Sequence, residues 1–188
     1  MRIISGKFKG KSINDNKVAG THPMSEKLRG AIFNALGDIE GLRLLDGCAG
    51  TGMVGFEALS RGAGEVDAVE KDDKAFADMI RNSQEVIGKN YPNYRAYHSG
   101  IRQFLKKDHI LPYDIMVFDP PYDLLAYDKI NIVQSDHFDG ITKRLKDTGI
   151  VIFSLPAGID SPRLPNLETI RQKTYGVAQL IFYKKIAK

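Results

Sequence analysis

The order of the predicted elements argues for an α/β fold: a mostly parallel sheet with helices on both faces and an antiparallel hairpin at its carboxyl-terminal end. Three observations carry that expectation. From residue 42 onward, short apolar runs of strand length alternate with longer stretches of helical periodicity. A glycine-rich turn, Asp46-Gly47-Cys48-Ala49-Gly50-Thr51-Gly52, joins the first of these strands to a helix. Asp46, Glu70 and Asp119 each end a strand, at the edge where such sheets bind ligands.

Before residue 42 the chain is different in kind. Arg2-Ile3-Ile4 and Phe8-Lys9-Gly10-Lys11-Ser12-Ile13 read as two short strands about Ser5-Gly6-Lys7, a small β-hairpin extension with a turn glycine. Residues 14–24 are polar and irregular, so 1–24 reads as a hairpin plus connector and 25–188 as an α/β core. A length of 188 residues fits a single domain over 1–188. Ser25 suits a helix N-cap, Leu28, Ala31, Ile32, Ala35 and Leu36 follow at helical spacing, and Gly37 suits the stop. That spacing leaves Lys27 and Arg29 available on other faces of the helix.

The core then reads in order. A strand over 42–46 precedes a helix over 52–61. A strand over 65–70 is followed by a helix over 73–87 that buries Phe76, Met79, Ile80, Val86 and Ile87. The third strand spans 94–98, a short helix 101–106 and the fourth strand 113–119. A helix near 136–146 leads to a fifth strand over 149–155, with the basic run Lys143-Arg144-Leu145-Lys146 complementing that helix's dipole. After a proline-broken segment, 168–174 and 177–184 form the terminal antiparallel pair.

Composition narrows the setting. With 43% apolar and 27% charged residues the chain can build a core, and one cysteine, Cys48, allows neither an internal disulfide nor a cysteine metal cluster. No apolar run reaches the roughly 18 residues of a membrane span, and the first residues lack a signal-peptide core, which gives a cytoplasmic expectation with no membrane partner and no metal. The net charge of +4 is modest but unevenly placed: residues 1–30 hold seven basic residues against Asp15 and Glu26. Arg2, Lys7, Lys9, Lys11, Lys27 and Arg29 therefore form a candidate phosphate-contacting arm, beside the alternative of a merely solvated basic tail.

The glycine-rich turn matches the G-x-G-x-x-G fingerprint over Gly50–Gly55, with Glu70 twenty residues after Gly50 where it could accept bonds from ribose hydroxyls. A nicotinamide dinucleotide is the obvious rival ligand. Asp46 tilts the balance, because its carboxylate would repel a pyrophosphate and suits the ammonium of S-adenosylmethionine, which carries two cations and no phosphate. A helix-capping role competes for Asp46. Cys48 reads as a small filler rather than a nucleophile, and His22, His98 and Tyr127 as packing or surface residues.

Asp119-Pro120-Pro121-Tyr122 arrives directly off the apolar run Ile115-Met116-Val117-Phe118. The prolines fix φ and remove donors, so the motif offers an acceptor carboxylate, a rigid acceptor carbonyl and a stacking ring. If Asp119 and the Pro120 carbonyl each accept one N–H of an exocyclic amine, its nitrogen can pyramidalise and aim a lone pair at a methyl donor. Orientation and proximity then supply most of the catalysis, with Tyr122 stacking on the base for roughly 1–3 kcal/mol.

With these residues in view, the chain resembles the bacterial RsmD-type family of 16S ribosomal RNA guanine-N2 methyltransferases. The resemblance runs through residues 1–10, Pro23-Met24-Ser25-Glu26-Lys27-Leu28-Arg29, the glycine turn, Glu57-Ala58-Leu59-Ser60-Arg61-Gly62-Ala63, Glu70 and residues 119–122. It implies a Rossmann-like class I methyltransferase fold acting on ribosomal RNA, in the small subunit or its assembly intermediate; a monomer is the default expectation. It implies donor contacts at Asp46, Gly47, Cys48, Gly50, Gly52, Glu70, Lys71, Gly100, Ile101 and Asp119, and catalysis at residues 119–122. The chain departs from the family's pattern at His22-Pro23-Met24, at Gly47-Cys48 and at Ser99-Gly100, where an acid or amide often faces the adenine. Two other functions fit the same motifs: methylation of adenine N6 or cytosine N4 in DNA, and a nucleic-acid binding or assembly factor with a vestigial donor pocket.

Overall fold

A computed structural model describes residues 1–13, 24–120, 140–161 and 163–186. Seven strands form one sheet in the order β3-β2-β1-β4-β5-β7-β6. They are β1 (Arg43–Asp46), β2 (Glu65–Glu70), β3 (Tyr94–His98), β4 (Tyr113–Phe118), β5 (Leu145–Pro156), β6 (Leu167–Tyr175) and β7 (Ala178–Lys185). The first five pair in parallel, and β7 runs antiparallel between β5 and β6. The helices are α1 (Glu26–Leu36), α2 (Met53–Ser60), α3 (Asp73–Val86), α4 (Ile101–Leu105) and α5 (Ile141–Arg144). None of the described helices is long and apolar enough to cross a membrane.

Strand alternation divides the core into two layers. Leu44, Val66, Ala68, Ile115, Val117, Ile152, Leu180 and Phe182 face α1, α2 and α3. Their sequence neighbours Leu45, Val69, Met116, Phe118, Val151, Phe153, Ile181 and Tyr183 face α4 and α5. Burial on both sides explains the near-continuous apolar strands. The one charge within this region of β2, Asp67, is fully buried and accepts from Arg43 (2.6 Å), Arg95 (2.7 Å) and the Tyr113 hydroxyl (2.5 Å).

The caps read from sequence form as expected on α1: the Ser25 hydroxyl accepts from Leu28 N–H at 3.2 Å, and Gly37 ends the helix at φ 74°. At α3 the carboxylate of Asp72 accepts from the N–H groups of Lys74 and Ala75.

Three expectations change. Arg29 is not available on the helix surface: it is fully buried, donating to Glu57 at 3.4 Å and to the carbonyls of Met24 and Arg2. The amino-terminal hairpin closes on one antiparallel bridge, Arg2 to Ser12, and lies packed on α2. Beyond Gly140 the described part of the helix expected over 136–146 is the single turn α5, because Leu145 already pairs with Tyr113 in β5. A bulge about residues 146–149 then resets the register to Ile115 opposite Ile150, so turn-like Asp147-Thr148-Gly149 lies inside the strand. Lys143 and Arg144 do occupy the last turn of α5, and the Arg144 side chain in addition donates to the carbonyl of Leu105 at the end of α4 and to those of Lys107, Asp108 and Ile110 beyond it.

Candidate active site

The strand order reverses between β1 and β4, and Asp46 and Asp119 end or follow those two strands. A crevice at such a switch point is the binding position of open α/β sheets. Glu70 ends β2 on the other side of β1, and the Gly100 N-cap and Ile101 follow β3, whose His98 lies opposite Glu70. The Ser99 N–H bonds the Glu70 carbonyl at 2.9 Å, which ties the fourth corner to the same rim.

Asp46 is almost fully buried beneath α2. Its Oδ2 accepts the Gly55 N–H at 2.9 Å, so it caps the first turn of the helix from outside the helix. The capping role weighed for this residue is therefore real, and it uses one oxygen. Burial pushes the Asp46 carboxyl up to about 7, with Asp119 and Glu70 adding repulsion and the Gly55 bond opposing it. Burial likewise pushes Asp119, half-buried at the end of β4, up to about 6, with Ser154 on β5 opposing the shift. A cation entering between them would draw both toward the ionised form.

The turn itself is shaped by its glycines in different ways. A Cβ on Gly47 would lie 2.2 Å from the Phe118 ring, so that glycine admits the Phe118–Phe153 stack. Gly52, at φ 90°, faces Phe56 and Met79. Gly50, at φ 53°, has nothing within 4 Å of where a Cβ would stand; there a ligand can approach the backbone. The Gly50 N–H donates to Glu70 Oε2 at 2.8 Å, while Glu70 Oε1 accepts from the N–H groups of Lys71 and Asp72. Lys71 is exposed. The Cys48 thiol is driven up by burial and by the fields of Glu70, Asp46 and Asp119, which keeps it protonated and unreactive.

Three carboxylates about a turn with one open backbone position suit a ligand bearing positive charge. A diphosphate would meet the same carboxylates as repulsion. The donor set thus fits S-adenosylmethionine and not a nicotinamide dinucleotide. The structure brings together Asp46, Gly47, Cys48, Gly50, Gly52, Glu70, Lys71, Gly100, Ile101, Asp119 and Pro120. Pro121, Tyr122, Tyr127, His22, Pro23 and residues 136–139 lie outside the described residues. Sequence reading passed over Ser154, and it took Gly55 only as the last glycine of the fingerprint, not as the donor to Asp46. The signal for Ser154 was a hydroxyl in the otherwise apolar run Ile152-Phe153-Ser154-Leu155.

The amino-terminal segment sits away from this rim, on the far half of α2. Fully buried Glu57 accepts the N–H groups of Ile4 (2.8 Å) and Ser5 (3.2 Å) and pairs with Arg29 and Arg61. The Ser60 hydroxyl accepts from Phe8 N–H and donates to the Ser5 carbonyl. A Cβ on Gly6 would overlap the Ser60 carbonyl at 1.6 Å, so only glycine fits there. Arg2, Lys7, Lys9 and Lys11 remain exposed around Ile3, Phe8 and Ile13, which join the core. Lys11 also donates to the Val86 carbonyl at the end of α3.

Comparison with known proteins agrees with the geometry. The family model described as conserved hypothetical protein 95 matches residues 1–184. The chain is 30% identical to the "Putative rRNA methyltransferase YlbH" of Bacillus subtilis, covering 98% of this chain and 99% of that one. It is 33% identical to the Ribosomal RNA small subunit methyltransferase D of Buchnera aphidicola, over 71% of this chain and 69% of the relative. Among solved structures it superposes on the "Putative methyltransferase yhhF from Escherichia coli" with a TM-score of 0.81 and 25% identity, covering 100% and 99% of the two chains. With the sheet order, the cation-suited turn and this full-length match in hand, the chain belongs to the conserved hypothetical protein 95 family, the RsmD-type methyltransferases of class I fold that use S-adenosylmethionine.

Proposed function

We propose that this enzyme methylates the exocyclic N2 amine of a guanine in small-subunit ribosomal RNA. The observation that carries the reading is the adjacency of Asp119-Pro120 to the donor turn across the β1–β4 switch point. The names of the relatives, several of them ribosomal RNA small subunit methyltransferase D, support RNA of the small subunit as the target.

Asp46, Gly50 and Glu70 would hold the donor, with Gly100 and Ile101 at its adenine side. S-adenosylmethionine, when bound, supplies an electrophilic methyl group on a sulfonium. The chain's own residues do the rest. Asp119 and the Pro120 carbonyl accept the two N–H bonds of the amine and turn its lone pair out of conjugation. Asp119, with its carboxyl near 6, is ionised at neutral pH and can take the proton that the nitrogen sheds. Tyr122 covers the base. A paired guanine must first be unstacked.

The test is labelled methyl transfer to unmethylated small subunits, free ribosomal RNA and DNA in parallel, followed by nucleoside analysis. N2-methylguanosine in the RNA is the expected product. Label confined to DNA would overturn the target while leaving the donor site intact.

A further inference from the structure

A second feature bears on RNA and lies outside the active-site crevice. A groove of about 540 Å³ runs between α1 and the edge strand β6, with Ile4 of the amino-terminal segment at one end. Its floor is made of small residues on the outer flank of α1, Gly30, Ala31 and Ala35, and its walls include Lys27, Arg171 and Tyr175. Arg171 stands over the Phe182 ring at 5.9 Å, and Lys173 over the Tyr175 ring at 5.4 Å. Among the described residues neither Arg171 nor Lys27 has a carboxylate within ion-pair distance, whereas Glu26, the acid lining the groove, is paired with Arg2 at 3.4 Å.

The position matters as much as the composition. Tyr175 pairs with Ala178, which lies opposite Pro156 at the carboxyl end of β5. The Tyr175 end of the groove therefore lies on the same rim as Asp119, three strands away, or about 14 Å at roughly 4.8 Å per strand, while Arg171 stands deeper along β6, in register with Phe182 and Ile152. Cations alone on an edge strand guard against unwanted strand pairing. Here they flank a cleft lined by small residues and an aromatic ring, an arrangement that takes a phosphate and a base together.

The geometry points to this groove as a second binding site for the RNA substrate, holding a nucleotide beside the target with its phosphate at Arg171 and Lys27 and its base against Tyr175. This rests on the reading of the protein as an RNA-modifying enzyme, and it adds β6 to the proposed RNA contacts of the amino-terminal segment and of residues 119–122.

The test is equilibrium binding of transcribed small-subunit ribosomal RNA to wild type, Arg171→Glu, Arg171→Gln and Tyr175→Ala, with donor binding measured on each as a check of fold. Arg171→Glu is expected to weaken RNA binding about tenfold with donor affinity unchanged. Arg171→Gln is expected to lower the slope of log affinity against log salt by about 1. Tyr175→Ala is expected to remove an ultraviolet RNA crosslink that maps to β6 in wild type. Unchanged RNA affinity and salt slope in the Arg171 variants would overturn the proposal. So would a wild-type dimer that Arg171→Glu dissociates while RNA affinity stays constant, since the groove would then take a second copy of the chain. Because the readout is binding, wild-type protein that transfers no methyl to RNA would overturn the catalytic reading and leave the groove to be judged by its own result.

Discussion

Helix α2 carries a buried carboxylate at each end of its surroundings, and the two are treated oppositely. Glu57 on its far half is surrounded by two backbone N–H groups and two guanidinium groups. Asp46 at its near end has, among the described residues, one hydrogen bond, from Gly55, with Asp119 and Glu70 close enough to oppose its charge. Complete partnering makes a buried acid into scaffolding; incomplete partnering leaves it receptive to a cation from outside. Asp67, with Arg43, Arg95 and Tyr113 about it, belongs with Glu57. Burial alone therefore does not distinguish these acids, whereas their partners do.

That contrast can be broken by substitution, and Asp119 gives the largest effect. Asp119→Ala is expected to lower kcat for methyl transfer about 10²–10³-fold. Donor affinity, measured by calorimetry, should change far less; equal loss of both would return Asp119 to the donor site alone. Glu57→Ala comes next and acts on stability. It leaves Arg29 buried without its acid and should cost about 3–5 kcal/mol in chemical denaturation. Proteolysis should then release the first thirteen residues.

Asp46→Asn should do the reverse, sparing stability and weakening donor binding. The pH dependence follows from the raised carboxyl. The folded state holds a proton on Asp46 that the unfolded chain releases near 4, so this group lowers stability progressively as pH rises from about 4 to about 7. The Asn variant should flatten that decline in melts across the range. In wild type, affinity for the cationic donor should rise over the same interval, as Asp46 and Asp119 ionise, and level off above pH 8. A flat affinity profile would separate Asp46 from the donor. The smallest effect is assigned to Gly50→Ala, where left-handed backbone costs about 1–2 kcal/mol of stability. The added methyl points into the open approach, so donor affinity should fall by more than the stability loss implies.

Most of the sheet was legible because local patterning and tertiary demand agree there. β2 and β3 have the bounds read from sequence, and α1 has its Ser25 and Gly37 caps, since alternation, capping and glycine chemistry all act within a few residues. The donor turn was legible for the same reason: its glycines and carboxylates are contiguous or end adjacent strands. What stayed hidden depended on distant partners. Arg29 lies on a helix next to Lys27 and Leu28, and nothing local announces that Glu57, in a different helix, will bury it. The early start of β5 depends on Tyr113 reaching Leu145, and Lys146-Asp147-Thr148-Gly149 taken alone reads as a turn. Ser154 gains meaning only once Asp119 is beside it, and Gly55, already the last glycine of the fingerprint, shows its bond to Asp46 only in the fold.

The clamp on α2 has a consequence for how the chain is made. Residues Ile3, Phe8 and Ile13 leave the ribosome before the groups that hold their segment, Glu57 and Ser60, which follow about fifty positions later. The segment therefore spends several seconds of synthesis as an unanchored apolar and basic stretch, since elongation runs at about 5–20 residues per second. Its docking is a long-range closure that waits on α2, and all eight residues of that helix are buried in the finished fold. A segment made before α2 thus finds its place only once α2 has been made.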